Sequence, residues 1–523
     1  MAAEKFNSKL IADIGISMGD EGKGRVVHET LDEIMRRTGQ SAAAVIKVNG
    51  GANSGHTAAG LKLNLLPSGV GEPDLPKLLV GCGVVADPRK FLWEARPLEA
   101  RGISVLERLQ IDQRVQLSDL SHRILDLAWE DYRVNILGEE NRGSTGRGIS
   151  PAYSDETSQW QIHYSSFLSN GKDTFAKALE QRVDRALRTI RHVCRVSEEK
   201  WNSFFDRLTE AETQANAPAI SEGIFNSEEF DFSVFKGDEP FSLNLHNLIE
   251  CYWGAGQELA PCIGDVREST LSALEADKHV VAEFGQSYWL DKRHGFSPNV
   301  TASHTTTPEL FLSAGIPPCP VHVLGCCKAY DTKVGTHHFL TQIDPESHPL
   351  GARLSKLEFG TSTGRQRMVG WFDAVEKGDA LRHCGFDDFV INKIDVLAHA
   401  EGWQGDLKLC VAYRTPAGRI ITSVPRDEAL RRTLEPVYED LPGWTEDLSV
   451  AKSFSDFPIN AQRYVARMVS SVIEAAYPSG FDGRSLPQVR YLGVGPNPGQ
   501  VITDTPPTIQ LIKEFAEASA FLK

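Results

Sequence analysis

Long hydrophobic runs and an excess of positive charge are both absent from this sequence. No run of about 18 apolar residues occurs, and the first residues contain no apolar signal core, so neither a membrane-spanning helix nor a secretory leader is expected. The chain has 55 Lys and Arg against 70 Asp and Glu, a formal net charge of −15. This balance argues against nucleic acid or a membrane surface as a partner, although it permits a local basic pocket for an anionic ligand.

Paired cysteines are missing as well. The 9 cysteines contain no Cys-x-x-Cys motif, and an odd number does not suit a complete disulfide framework. We therefore expect reduced thiols, mostly buried as small apolar residues, in a cytoplasmic protein. With 41% hydrophobic and 24% charged residues, the composition is that of an ordinary globular protein.

The length of 523 residues allows two to four domains or one large unit with insertions. Because no internal repeat or obvious linker appears, we predict a single α/β domain over 1–523, with a large, mostly parallel central sheet flanked by helices. The stretch around 197–245 is polar, acidic and less regular, and an insertion is predicted around 197–270. An amphipathic helix is predicted over 175–193, where the arginines outside the apolar stripe, Arg182 among them, are interpreted as a solvated face.

The most informative stretch is the loop Gly-Asp-Glu-Gly-Lys-Gly at 19–24, between an apolar run and a helical pattern. Such a loop suits phosphates, because backbone N–H groups converge there and Lys23 adds charge. It is similar to the loop of P-loop NTPases but is not a Walker A motif, since six residues separate Gly15 from the Gly-Lys pair. The carboxylates of Asp20 and Glu21 would repel anions, so a metal or proton transfer is expected there; a turn with surface acids is the alternative.

Three further glycine loops carry groups suited to ligands. The loops and their polar groups are 49–57 with Asn53 and His56, 143–153 with Thr145 and Arg147, and 359–367 with Arg365 and Arg367. Loops after the strands of an α/β sheet are where ligands bind, and paired arginines suit a carboxylate. Each loop alone could also be a simple turn.

The tetrapeptide Asn-Lys-Ile-Asp at 392–395 follows another apolar stretch. Guanine is recognised by such a pattern, since the Asp accepts hydrogen bonds from N1–H and the exocyclic amine while the Lys stem packs on the ring. Four residues are a weak signal alone, but the phosphate loop upstream strengthens it.

These motifs together resemble the adenylosuccinate synthetase family over nearly the whole chain and in the family's order. The matching segments are GDEGKG at 19–24, GG-x-N-x-GHT at 50–57, PSG at 67–69, G-x-GVV at 81–85, TGRGI-x-PAY at 145–153, Gln286, V-T-x-S at 300–303, KAY at 328–330, T-G-R-x-R at 363–367, NK-x-DVL at 392–397 and LPGW at 441–444. Each motif is modest, but the ordered set is specific.

The resemblance implies a GTP-dependent ligase that forms adenylosuccinate from IMP and L-aspartate, through a 6-phosphoryl-IMP intermediate, in the synthesis of AMP. It also implies Mg²⁺ as cofactor and a homodimer with the active site at or near the subunit interface. The chemistry is coherent: phosphorylation turns a purine oxygen into a good leaving group for the aspartate amine to displace, and the transfer needs mainly positioning and charge neutralisation.

The resemblance further implies a role for each matching residue. Asp20 is expected to take the N1 proton of IMP, His56 to act as the acid in phosphoryl transfer to O6, and Lys23 to hold phosphates. The implied contacts are Gly22, Lys23, Gly24, Gly55, Thr57, Lys393, Asp395, Gly493 and Gly495 for GTP; Asp20, Asn53, Thr145, Gln286, Thr301 and Arg365 for IMP; Thr361, Thr363, Arg365 and Arg367 for aspartate; and Asp20 and Gly55 for the metal.

The sequence also departs from the family pattern. Arg25 replaces a lysine, Ser287 replaces a glycine, and Gln159 stands where the family has an arginine that reaches across the dimer to the IMP phosphate. Arg142 or Arg147 is a candidate to compensate for that loss. Two alternatives therefore stay open: the same chemistry on another purine nucleotide or amine donor, and a non-catalytic GTP-binding relative.

Overall fold

The computed structural model describes residues 5–58, 61–169, 171–334, 338–359, 366–480, 486–497 and 499–516. Within these ranges, no helix is both long and apolar enough to cross a membrane.

Twenty strands occur in the described ranges, ten of them in one central sheet. In chain order they are β1 Leu10–Gly15, β2 Ala44–Lys47, β3 His56–Ala58, β4 Leu61–Leu63, β5 Lys77–Val80, β6 Val85–Ala86, β7 Leu109–Asp112, β8 Gln116–Leu117, β9 Ile263–Gly264, β10 Val280–Ser287, β11 His322–Lys328, β12 Asp331–Lys333, β13 Met368–Gly370, β14 Phe372–Asp373, β15 Asp388–Asn392, β16 Leu407–Arg414, β17 Ile420–Ile421, β18 Glu435–Leu441, β19 Gln488–Gly493 and β20 Val501–Ile502.

The central sheet has the strand order β20-β19-β15-β11-β1-β10-β2-β5-β7-β9. Its neighbouring strands are parallel except for the antiparallel pair of β19 and β20, so the predicted mostly parallel sheet is confirmed. A second, smaller sheet joins β16 to β14, β17 and β18. Because β1 lies between β10 and β11, the loop that follows β1 emerges near the middle of the large sheet.

Helices cover both faces of the central sheet. They are α1 Lys23–Thr38, α2 Pro88–Ala100, α3 Leu120–Asp131, α4 Ile149–Thr157, α5 Ser166–Ser169, α6 Lys172–Arg188, α7 Glu198–Ala215, α8 Ala217–Ser221, α9 Leu245–Leu259, α10 Val266–Glu275, α11 Pro308–Ala314, α12 Pro349–Ser355, α13 Ala374–Cys384, α14 Glu428–Arg431, α15 Ile459–Ala476 and α16 Thr508–Phe515. In β1, Leu10, Ala12 and Ile14 pack into one hydrophobic cluster and Ile11 into another, which is why the strand reads as a continuous apolar run.

Two sequence expectations change here. The stretch 197–245 is more regular than expected, because α7 is a full helix of 18 residues and Phe230 and Phe232 are buried. The interpretation of Arg182 as solvated is wrong: its side chain is 2% exposed, and its Nη1 lies 2.8 Å from Asp119 Oδ2. The amphipathic helix itself is confirmed by α6 and the π-helical turn after it.

Candidate active site

The glycine loops meet at one cavity of about 490 Å³ beside the carboxyl ends of the central strands. Parallel strands end at the same edge of a sheet, so loops that are distant in sequence come together there. The predicted site residues that line the cavity are Asp20, Gly22, Lys23, Gly24, Asn53, Gly55, His56, Thr57, Thr145, Gln286, Thr301, Arg367 and Lys393. Thr361, Thr363 and Arg365 lie outside the described residues.

The loop after β1 holds its two carboxylates in different roles. Glu21 is buried, and its Oε2 lies 3.0 Å from Lys23 Nζ and accepts a hydrogen bond from the Ser287 hydroxyl at 2.5 Å. Burial opposes ionisation, but Lys23 and then Ser287 outweigh it and hold the pKa of Glu21 below its ordinary value. Glu21 therefore compensates the charge of Lys23 and is not one of the surface acids that the alternative interpretation assumed.

Asp20 points to a different partner. Its Oδ2 forms an ion pair with Nε of Arg367, across 347 positions of sequence. The backbone of Asp20 has φ of 61°, a left-handed conformation that a non-glycine residue adopts at a cost of about 1 kcal/mol. The predicted general base and a predicted aspartate-binding arginine are thus direct neighbours at the cavity.

His56 lies on β3, and one of its ring nitrogens is engaged in a hydrogen bond within the protein. Its Nδ1–H donates to the carbonyl oxygen of Ser54 at 2.8 Å. Its Nε2 is buried 3.7 Å from Glu283 Oε1, without a hydrogen-bond partner among the described residues. Burial lowers the pKa of His56, and the Glu283 carboxylate offsets this only in part. The free Nε2 is therefore the atom available to a ligand.

Amide and hydroxyl groups occupy another part of the cavity wall. Gln286, at the end of β10, donates from Nε2 to Ser54 Oγ at 2.8 Å and to Asn53 Oδ1 at 3.3 Å. Thr145 and Thr301 approach the same cavity from other loops. Uncharged donors and acceptors of this kind suit a base or ribose better than a phosphate.

The predicted guanine motif stands at the carboxyl end of β15. Asn392 donates from Nδ2 to the carbonyl oxygen of Glu21 at 2.7 Å and so joins the motif to the phosphate loop. Lys393 lines the cavity, and the buried Oδ1 of Asp395 has no hydrogen-bond partner within the described part of the chain. A buried carboxylate oxygen without a partner is costly unless a ligand supplies a donor.

Asp395, Gly493 and Gly495 lie outside the lining of the main cavity. The turn after β19 nevertheless approaches the motif, because Ile394 N–H donates to the Gly493 carbonyl at 3.3 Å. Arg25, which replaces the family's lysine, hydrogen-bonds to the Gly495 carbonyl from α1. These contacts bring the turn against the guanine motif beside the cavity.

Arg147 does not reach the cavity. Its side chain is 9% exposed and pairs with Glu212 of α7, which also pairs with Arg123 at 2.9 Å. Burial lowers the pKa of Arg147 to about 9. Arg142, by contrast, lines the cavity, so of the two arginines considered as substitutes it is the one that a ligand there could contact.

Sequence reasoning missed five buried carboxyl groups at the cavity: Asp13, Asp126, Glu130, Glu283 and Glu358. Burial, followed by the charge of Glu283, raises the pKa of Asp13 to about 8. The signal for Asp13 and Glu283 was a single acid inside an otherwise apolar strand run. Glu358 gave no such signal, because its partners come from distant segments.

The chain was compared with known proteins. The model of the family described as adenylosuccinate synthetase matches residues 13–230 and 224–477. The adenylosuccinate synthetase of Acidothermus cellulolyticus is 34% identical over 458 residues, covering 86% of this chain and 92% of the relative. That of Desulforamulus reducens is 33% identical over 464 residues, covering 87% and 92%.

A solved structure agrees in fold. The fully ligated adenylosuccinate synthetase of Plasmodium falciparum superposes with a TM-score of 0.74 at 24% identity, covering 95% of this chain and 100% of that one. The ordered motifs, their meeting at one cavity and the family match lead to the same conclusion: this chain belongs to the adenylosuccinate synthetase family.

Proposed function

We propose that this protein is a ligase that forms adenylosuccinate from IMP and L-aspartate with hydrolysis of GTP, a step of purine nucleotide biosynthesis. Membership of the family supports this activity. The observation that carries the proposal is the convergence of the phosphate loop, His56, Gln286 and Arg367 on one cavity. Those groups come from separate segments and together offer what phosphoryl activation of a purine oxygen requires.

Asp20 and His56 are assigned the proton transfers. Asp20 takes the proton from N1 of IMP, which raises electron density on O6 for attack on the γ-phosphoryl group. His56 presents Nε2 to the transferring group, and protonation of Nε2 lets it stabilise negative charge there. Because burial lowers the pKa of His56, this protonation depends on the arrival of anionic ligands, which favour the charged ring.

The GTP contacts divide between the two ends of the nucleotide. Lys23 and the loop residues Gly22 and Gly24 hold phosphates at the start of α1, where backbone N–H groups are free to bind an anion. Gly55 and Thr57 line the same cavity, and the Thr57 carbonyl lies close to Gly24. Lys393 and Asp395 bind guanine, with the turn at 493–495 closing the pocket.

The two other substrates are assigned to the remaining walls. Asn53, Thr145, Gln286 and Thr301 contact IMP through uncharged groups. Arg367 binds a carboxylate of L-aspartate, with Thr361, Thr363 and Arg365 completing the receptor and Arg365 also reaching IMP. Because Arg367 pairs with Asp20, the attacking amine is delivered next to the activated base.

The cavity suits Mg²⁺. Among the residues that the structure describes, no three His, Cys, Asp or Glu side chains converge into a metal cage. Mg²⁺ typically takes one or two carboxylates and completes its shell with substrate phosphates and water. Asp20 and Gly55 at the cavity offer a carboxylate and a carbonyl oxygen. When bound, the ion would neutralise charge on the phosphates.

We further infer that the chain acts as a cytoplasmic homodimer, as the resemblance implies. Gln159 follows α4 on the exposed surface, where a partner copy has access to it. The single-domain organisation and the status of 197–270 as an insertion also remain proposals.

The proposal is tested by turnover of the purified protein with IMP, GTP, L-aspartate and Mg²⁺. Product formation is monitored by the change in ultraviolet absorbance, and each component is omitted in turn. Activity that needs all four components supports the proposal; no turnover with GTP still bound overturns it.

Within the active enzyme, Asp20→Asn should lower kcat by about a hundredfold or more while GTP binding persists, because general-base catalysis is lost. The matched control is Asp32→Asn, whose exposed carboxylate pairs with Arg36 at 2.8 Å on α1. Equal turnover of the Asp20 variant would remove Asp20 from the mechanism.

A further inference from the structure

Glu358 is the meeting point of three side chains at the cavity wall. Its Oε2 lies 2.8 Å from Lys328 Nζ, and its Oε1 lies 2.6 Å from Lys393 Nζ and accepts a hydrogen bond from the Tyr330 hydroxyl. The Glu358 side chain is 4% exposed. Burial opposes its ionisation, but Lys328 and then Lys393 hold its pKa below the ordinary value.

The two lysines are not equivalent partners. Lys328 is 3% exposed and has a second contact with Thr332 Oγ1 at 2.9 Å, so it forms a buried structural pair with Glu358. Lys393 is 39% exposed at the cavity, and Glu358 is the partner recorded for its ammonium. One carboxylate therefore pairs with two ammonium groups, and that of Lys393 is the more exposed of the two.

The backbone at Lys393 is also held in an unusual state. Its φ is 60°, in the left-handed region that non-glycine residues avoid, and such strain concentrates at ligand sites. Neighbouring hydrogen bonds hold this conformation, from Ala329 N–H to the Asn392 carbonyl at 2.9 Å and from Ile394 N–H to Gly493. The backbone fixes where the side chain starts, and Glu358 fixes where it ends.

We propose that Glu358 is a positioning residue for GTP, which holds the Lys393 ammonium so that the side chain's alkyl stem is ordered to pack on the guanine ring. This inference rests on the proposed function, because it takes Lys393 as a guanine contact. A free lysine side chain loses rotamer entropy when it is immobilised. An ion pair that orders it beforehand removes part of that cost from binding.

Glu358 also links the guanine end of the cavity to its amino-acid end. Its carbonyl oxygen accepts a hydrogen bond from the Arg367 N–H at 3.0 Å, and the Arg367 side chain pairs with Asp20. The two residues are thus joined through their backbones, while the Glu358 side chain contacts Lys393 and the Arg367 side chain contacts Asp20. This geometry places Glu358 where it serves the site, not only the fold.

The test is a double-mutant cycle on GTP affinity, measured by calorimetric titration of GTP into the full-length protein with Mg²⁺ and without IMP. Glu358→Gln should raise the Kd about tenfold, which corresponds to about 1.4 kcal/mol. In the Lys393→Met background, the same substitution should change the Kd less than about twofold, because the side chain through which Glu358 acts is gone. A merely structural role would give the same effect in both backgrounds.

A tenfold loss in both backgrounds, or no loss in either, overturns the inference. The control is Glu439→Gln, which breaks an ion pair with Arg467 outside the cavity and should leave the Kd unchanged. If the Gln variant does not fold, Glu358→Asp, which keeps the charge but shortens the reach, carries the same cycle. Failure of the proposed function is separate: it appears as a wild-type protein without turnover, whatever the cycle gives.

Discussion

Replacement of Asp13 by Asn gives a stability effect whose pH dependence follows from the structure. Asp13 is 1% exposed on β1, and its Oδ1 accepts a hydrogen bond from Phe284 N–H at 2.9 Å. Its Oδ2 has no hydrogen-bond partner in the part of the chain that the structure describes. Burial, followed by the Glu283 carboxylate, raises its pKa from 3.8 to about 8. The folded protein therefore holds a proton on Asp13 at neutral pH.

The sign follows from proton linkage. Between the unfolded pKa of 3.8 and the folded pKa of about 8, the folded state binds the proton that the unfolded state has lost. Stability is complete below the lower value and falls as pH rises through this window, by about 1.4 kcal/mol per pH unit. From about pH 5 to about pH 8 the contribution of Asp13 to the free energy of unfolding should fall by about 4 kcal/mol.

Asn keeps an oxygen for Phe284 N–H but does not titrate. The free energy of unfolding of Asp13→Asn, measured by urea titration, should therefore gain about 4 kcal/mol relative to wild type between about pH 5 and about pH 8. The exposed control Asp32→Asn should show no comparable gain. A difference between Asp13→Asn and wild type that is the same at both pH values would refute the argument that Asp13 is buried as a neutral acid.

Two further predictions concern substrate binding. Gln159→Arg should lower the KM for IMP about tenfold, because a charge-assisted hydrogen bond to phosphate replaces a neutral one; Gln40→Arg at another exposed site is the control, and an unchanged KM would show that Arg142 or another group already fills the role. Asp395→Asn should raise the KM for GTP about a hundredfold and the KM for inosine triphosphate less. The carboxylate accepts hydrogen bonds from N1–H and the 2-amino group of guanine, whereas the side-chain NH₂ of Asn would face one of these two donors. Equal effects on both nucleotides would contradict a contact with the 2-amino group.

The apolar runs and the loops that end them were readable from sequence, because their signals are local. The run from Leu10 becomes β1, and its alternate residues enter clusters on the two faces of the sheet. The loop 19–24 follows it directly, as the pattern indicated. The order of motifs identified the family because a set of specific local patterns in one order seldom arises by chance.

The pairing of charges was decided only by tertiary structure. The sequence predicted a metal or proton transfer at the loop acids, whereas Glu21 forms an ion pair with Lys23. Arg182 was interpreted as solvated, although it is buried against Asp119. Nothing in the local sequence separates a buried arginine from an exposed one on the same helix, because the difference lies in what packs against it. The same holds for Arg147 and Glu212, which meet across 65 positions.

The sequence by itself therefore determined the fold class, the family and several of the groups that line the cavity. The tertiary structure decided which partners these groups have. Asp20 pairs with Arg367, Lys393 pairs with Glu358, and His56 Nε2 lies near Glu283. The physical reason is range. Strand and loop signals act between neighbours in the chain, whereas ion pairs and burial depend on segments that only the parallel sheet brings together.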